Sequence, residues 1–67
     1  MKFKVHGMDC AEEVATLKRE VGPVVGGEDR LSFDLLSGRM VVGPGSAEVH
    51  AEEVLSAVAR AGMRAEA

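Results

Sequence analysis

Apolar and polar side chains alternate along three short segments, which is typical of strands that bury one face. The first strand is predicted over residues 2–6, with Phe3 and Val5 on one side and Gly7 at its end. Two further strands are predicted on either side of the turn signal Ser37-Gly38. Their inward residues are Leu31, Phe33, Leu35, Met40 and Val42. A final edge strand is expected within residues 63–67, with Met63 and Ala65 inward.

Two other segments repeat apolar residues every three or four positions, which indicates helices. The first helix is expected to begin at Ala11 and to end at Gly22-Pro23, because glycine ends helices and proline does not continue them. A loop is predicted over residues 24–30. The second helix is expected to be capped by Ser46 and to end at Gly62. Its inner stripe is Val54, Leu55, Val58 and Ala61.

The predicted order of elements is strand, helix, strand, strand, helix, strand. This order predicts an α+β fold, a ferredoxin-like βαββαβ sandwich whose four-stranded antiparallel sheet has both helices on one face. No linker and no low-complexity tract divides the chain, so residues 1–67 are expected to form a single domain.

Size and charge exclude several classes of function. A chain of 67 residues is too short to be expected to hold a catalytic core with its own substrate pocket, so no enzyme is predicted. Eight Lys and Arg against 11 Asp and Glu give a net charge of −3, which disfavours nucleic acid as a partner. No apolar run approaches the roughly 18 residues of a membrane span. We therefore expect a soluble, cytoplasmic protein that is monomeric as an isolated domain.

One segment is chemically dense, the loop from His6 to Glu13 in which the first strand passes into the first helix. Cys10 is the only cysteine and lies near the helix start, where the helix dipole favours a thiolate. The negative charges of the neighbouring carboxylates disfavour that thiolate. A bound cation would displace the thiol proton and neutralise the carboxylates. We therefore predict a metal site with the candidate ligands Cys10, Asp9, Glu13 and Glu12.

Spacing ranks these ligands. With Asp9 as the predicted N-cap, Glu12 falls at the third helical position and can complete a capping box. Glu13 follows Cys10 by three residues on the same side of the helix, whereas Glu12 points nearly opposite. The expected order is Cys10, then Glu13 and Asp9, with Glu12 last.

Each of these residues also has a simpler interpretation that stays open. Cys10 is alternatively a small buried residue of the helix stripe, Asp9 and Glu12 a capping pair only, and Glu13 a solvated surface acid. Met8 is expected to plug the core beneath the loop. Neither His6 nor His50 is expected to be a ligand.

Gly7-Met8-Asp9-Cys10 after a short strand, together with the element order, resembles the heavy-metal-associated domain family over essentially the whole chain. Similar features recur at residues 32–35 and 59–63, and Met63 stands where the family usually places an aromatic residue or a lysine near the metal loop. The family's loop usually reads Gly-Met-x-Cys-x-x-Cys. Here Glu13 stands in place of the second cysteine. An Asp before the first Cys is similar to the amino-terminal domains of the zinc, cadmium and lead branch of P-type ATPases, some of which have an acidic pair after a single cysteine.

The charge of the donors indicates the class of ion. One thiolate and two carboxylates carry about −3, which suits divalent Zn(II) or Cd(II) and disfavours Cu(I), an ion that prefers sulfur. The resemblance to the zinc, cadmium and lead branch adds Pb(II) as a further candidate ion. Three protein ligands and one open position suit an ion that is handed on.

The resemblance implies a regulatory or delivery domain of a heavy-metal P-type ATPase exporter, at the cytosolic face of the cell membrane. Its partners would be the membrane and ATP-binding domains of the transporter, expected in the same polypeptide. Two alternatives stay open: a free-standing cytosolic metallochaperone, and a degenerate docking module that no longer binds metal. Nucleophilic catalysis by Cys10 is the weakest interpretation, because neither histidine has a reason to face it.

Overall fold

Four strands and two helices are formed by residues 1–43 and 49–66, the part of the chain that a computed structural model describes. The strands are β1 (Lys2–His6), β2 (Leu31–Asp34), β3 (Arg39–Val42) and β4 (Arg64–Glu66). The helices are α1 (Ala11–Val25) and α2 (Ala51–Arg60), and a single 3-10 turn, Glu28–Arg30, leads into β2.

The strands form one antiparallel sheet in the order β2-β3-β1-β4. The first strand lies in the middle, so that Lys4 faces Arg39 on one side and Glu66 on the other. The fold is α+β and is compatible with a ferredoxin-like sandwich. Among the described residues, no helix is both long enough and apolar enough to cross a membrane.

One buried cluster joins the sheet to both helices. Phe3 and Val5 of β1 belong to it, as the alternation predicted, whereas Lys2 and Lys4, which alternate with them along the strand, are exposed. The helices therefore cover the face of the sheet that carries Phe3 and leave the face with the lysines open. The other strand and helix residues of the cluster are Leu31, Met40, Val42, Leu17, Val21, Val25, Val54, Ala57 and Val58.

Strand β2 is shorter than predicted. Leu35 lies beyond it, in the turn of residues 35–38, and is 44% exposed. The carboxylate of Asp34 accepts hydrogen bonds from the backbone N–H groups of Leu36, at 3.0 Å, and Ser37, at 3.3 Å. These bonds close the turn before Leu35 can pair with β3. The predicted turn at Ser37-Gly38 is confirmed.

Helix α1 runs past Gly22-Pro23, so the predicted end at these residues is wrong. Helix α1 ends instead at Gly26, which has the left-handed φ of 91°. Proline inside a helix costs about 3 kcal/mol. Burial of a valine contributes about 1.5–3 kcal/mol, and Val25, which follows Pro23 on the inner face, is fully buried. Packing of this last turn against the core therefore offsets the cost of the proline.

Helix α2 begins later than predicted. Its N-cap is His50, so the expected cap at Ser46 is wrong, and Ser46 itself lies outside the described residues. Val49 packs against the core just before the helix, and two acidic residues occupy the first turn, where the helix dipole favours negative charge. Gly62, with a φ of 86°, follows the end of the helix as predicted.

Candidate metal centre

The loop between β1 and α1 is shaped by Gly7 and anchored by Met8. Gly7 has a φ of 95°, which residues with a Cβ rarely adopt, and a Cβ there would lie 3.3 Å from Cγ of Met63. Met8 is 3% exposed and belongs to the core, which confirms the predicted plug. Asp9 and Cys10 are left exposed at the surface, between this anchor and the first residue of α1.

The N-cap of α1 is Cys10, and the predicted capping box of Asp9 and Glu12 is wrong. The backbone of Cys10 is extended, and its carbonyl accepts a hydrogen bond from the N–H of Val14 at 3.3 Å. No side chain caps the helix. Because Met8 is held in the core, the chain uses both Asp9 and Cys10 to reach the helix. The helix begins at Ala11 as predicted, but its N-cap is shifted by one residue from the expected Asp9. A buried residue two positions before the cysteine was the signal for this shift.

The thiol of Cys10 contacts the carboxylate of Glu13. Sγ donates a hydrogen bond to Oε1 at 2.9 Å. With Cys10 as N-cap, Glu13 is the third residue of α1, and its side chain returns to the helix start as the spacing predicted. Cys10 is exposed, so its alternative interpretation as a buried apolar residue is wrong.

The two other acidic candidates lie beside this pair without joining it. Asp9 precedes the helix and Glu12 lies within its first turn, and both are exposed. Within residues 1–43 and 49–66, no group of three or more His, Cys, Asp or Glu side chains is positioned to hold an ion. The structure therefore brings together Cys10 and Glu13. Asp9 and Glu12 are close to this pair in sequence, but their side chains form no hydrogen bond with it.

The two histidines occupy other places. His6 forms an ion pair with Glu66 across β1 and β4. The hydrogen bond from His6 and the charge of that ring hold the pKa of Glu66 below its usual value. His50 is the N-cap of α2. In the described residues neither histidine completes a group of ligands with Cys10 and Glu13.

Comparisons of the chain with protein-family models, with curated proteins and with solved structures gave no match. The resemblance to the heavy-metal-associated family therefore depends on the loop residues and the order of elements alone.

Proposed function

We propose that this chain binds a divalent heavy-metal ion as cargo at the loop between β1 and α1 and passes it on. The observation that carries the proposal is the 2.9 Å contact between Sγ of Cys10 and Oε1 of Glu13 at an exposed helix start. A thiol and a carboxylate that share a proton can share a cation instead, once the thiol proton is released.

The spacing of the pair suits such an ion. A tetrahedral Zn(II) bonded to a thiolate at about 2.3 Å and to a carboxylate at about 2.1 Å keeps the two atoms about 3.6 Å apart. The observed distance is 2.9 Å, so the side chains would separate by only about 0.7 Å. Rotation about side-chain bonds supplies such a displacement without moving the backbone.

Asp9 is the third donor in this proposal. Its side chain is exposed, it precedes the helix, and it forms no hydrogen bond to another described residue. Glu12 is fixed within the first turn of α1, beside Glu13, and ranks last. A thiolate and two carboxylates leave one position of a tetrahedral ion open for water or for a receiving ligand, which suits transfer more than permanent storage.

The donor set selects the ion. Two carboxylates and one thiolate favour Zn(II) or Cd(II), and the same donors accept Pb(II). Cu(I) is disfavoured, because it prefers sulfur ligands and this loop offers a single thiol.

The wider setting that we propose is a regulatory or delivery domain of a heavy-metal P-type ATPase, on its cytosolic side. Residues 7–10 support it by their resemblance to the metal loop of that family, and the strand order β2-β3-β1-β4 supports it because a ferredoxin-like sandwich has this order. The membrane and ATP-binding domains of the transporter would be the partners. The domain described here would carry metal and perform no reaction.

Metal titration followed by backbone NMR tests the proposal. Zn(II) or Cd(II) should shift the amide signals of residues 8–14 and leave the sheet unchanged, because all proposed donors lie in that segment. Cd(II) should also produce the ultraviolet absorption of a cadmium–thiolate bond, and Cys10→Ser should abolish it. Shifts spread evenly over the chain, or centred on His50, would refute this placement of the site.

A further inference from the structure

A groove of about 390 Å³ runs along the free edge of the sheet. One wall is a stripe of α1 with helical spacing, and the other is a face of β2 and its extension with strand spacing. The lining residues are Ala11, Val14, Lys18, Leu31, Phe33 and Leu35. The strand alternation predicts that Phe33 and Leu35 lie in the core, and no pattern in the sequence singles out Lys18, because the two walls belong to segments distant along the chain.

The apolar side chains that line this groove are only partly buried by the rest of the described chain. Leu31 is 8% exposed, but Phe33, on the same face of β2, is only half-buried, and Leu35 is 44% exposed. Leu36, next in the chain, is fully exposed. Apolar side chains thus line a concave surface that no described residue covers, which favours an apolar occupant.

The backbone of β2 is open on the same side. Val42 exchanges hydrogen bonds with Met1, so its N–H and C=O point towards β1, and those of Val41 point towards its partner Ser32. The alternation of an antiparallel ladder then directs the N–H and C=O of Phe33 away from β3, towards the free edge. An added strand could bond to both groups.

Lys18 gives the groove its charge. It is the only ionisable residue among the lining side chains, and it forms no ion pair with any residue that the structure describes. The chain as a whole has a net charge of −3. A single uncompensated cation in an apolar groove of an acidic protein is complementary to an apolar segment that carries one carboxylate.

We propose that this groove binds an extended segment of a partner protein, which adds as a strand to β2. Its alternate apolar side chains would contact Val14 and Phe33, and a carboxylate would pair with Lys18. A second copy of this chain is a poorer occupant, because β2 has only four residues and a stable dimer buries about 800 Å² per partner. The inference does not rest on metal binding, although Ala11 places one end of the groove next to Cys10.

The probe is a blocked seven-residue peptide of alternating valine and threonine with one aspartate near its carboxyl end, tested on the metal-free protein. In the free protein the amide of Phe33 should exchange with solvent faster than those of Ser32 and Asp34, which face β3. The peptide should protect the amide of Phe33 and shift signals of residues 11–18. A matched peptide with lysine in place of aspartate should bind about fivefold more weakly, since an attractive exposed pair becomes a repulsive one.

Charge reversal in the protein supplies the control. Lys18→Glu should invert the preference between the two peptides, and Arg19→Glu, at the next, exposed position outside the groove, should leave it unchanged. The proposal is overturned if Phe33 stays unprotected at saturating peptide, or if both variants change the preference equally. It is also overturned if ultracentrifugation shows a dimer that protects Phe33 without peptide, because the occupant is then a second copy.

Discussion

Replacing Glu13 by alanine is the sharpest test of the metal site, because Glu12 beside it is a built-in control. Both residues are glutamates in the first turn of α1, and they differ in that only Glu13 contacts the thiol of Cys10. Glu13→Ala removes one of three proposed donors. Glu12→Ala removes the same charge from a position that faces away from the pair.

The two substitutions should differ in their effect on affinity for Zn(II). Loss of a directly bonded carboxylate, with water taking its place, should lower the affinity at least about tenfold, or about 1.4 kcal/mol. A carboxylate about 10 Å from a divalent ion contributes only about 0.3 kcal/mol in water at physiological salt, which is less than twofold. Since the capping box is absent, Glu12→Ala should cost helix stability only the weak, salt-screened attraction between its carboxylate and the helix dipole.

Competition with a chromophoric zinc chelator measures both affinities, and circular dichroism checks that each variant keeps its helices. Raising the salt concentration separates the two effects further, because it weakens the long-range contribution of Glu12 and leaves a direct bond largely intact. A Glu13→Ala protein that binds zinc as well as the parent, beside a Glu12→Ala protein that does not, would refute the argument and show that α1 unwinds to bring Glu12 inward.

Further predictions concern the site and the fold. Cys10→Ser should weaken Cd(II) binding more than Zn(II) binding in calorimetric titrations, because the remaining oxygen donors suit the harder ion; equal losses would count against sulfur as a ligand. Glu13→Cys should raise the affinity for Cu(I) relative to Zn(II) in competition assays. Leu17→Ala should lower the free energy of unfolding by about 2–5 kcal/mol in urea titrations, because Leu17 is fully buried. Hydrogen bonds from the backbone of Ser37, and then of Leu36, lower the pKa of Asp34. The Asp34 carboxylate therefore stabilises the fold above about pH 4, and this contribution to the free energy of unfolding is lost as the pH falls through the lowered pKa. In acid titrations of unfolding, Asp34→Asn should lack this part of the pH dependence.

Much of the fold follows from local patterns. Alternation over residues 2–6 and 39–42 identified β1 and β3 and the faces that they bury, because neighbouring side chains of a strand point to opposite sides whatever the strand packs against. Three-residue spacing likewise brought Cys10 and Glu13 together, since the helix itself sets that relation. Such geometry needs no information from distant parts of the chain.

Tertiary packing decided the rest. Helix α1 passes Pro23 because Val25 is buried in the core. Helix propensities describe single residues and do not include the free energy of that burial. Cys10 takes the N-cap position because Met8 is anchored in the core. The groove at the sheet edge arises where a stripe of α1 and the side chains of β2 meet without closing over Phe33. Local patterns in the sequence establish which side chains share a face of one element, because that relation depends only on the geometry of the element. Contacts between elements set where each element ends and which surfaces stay open.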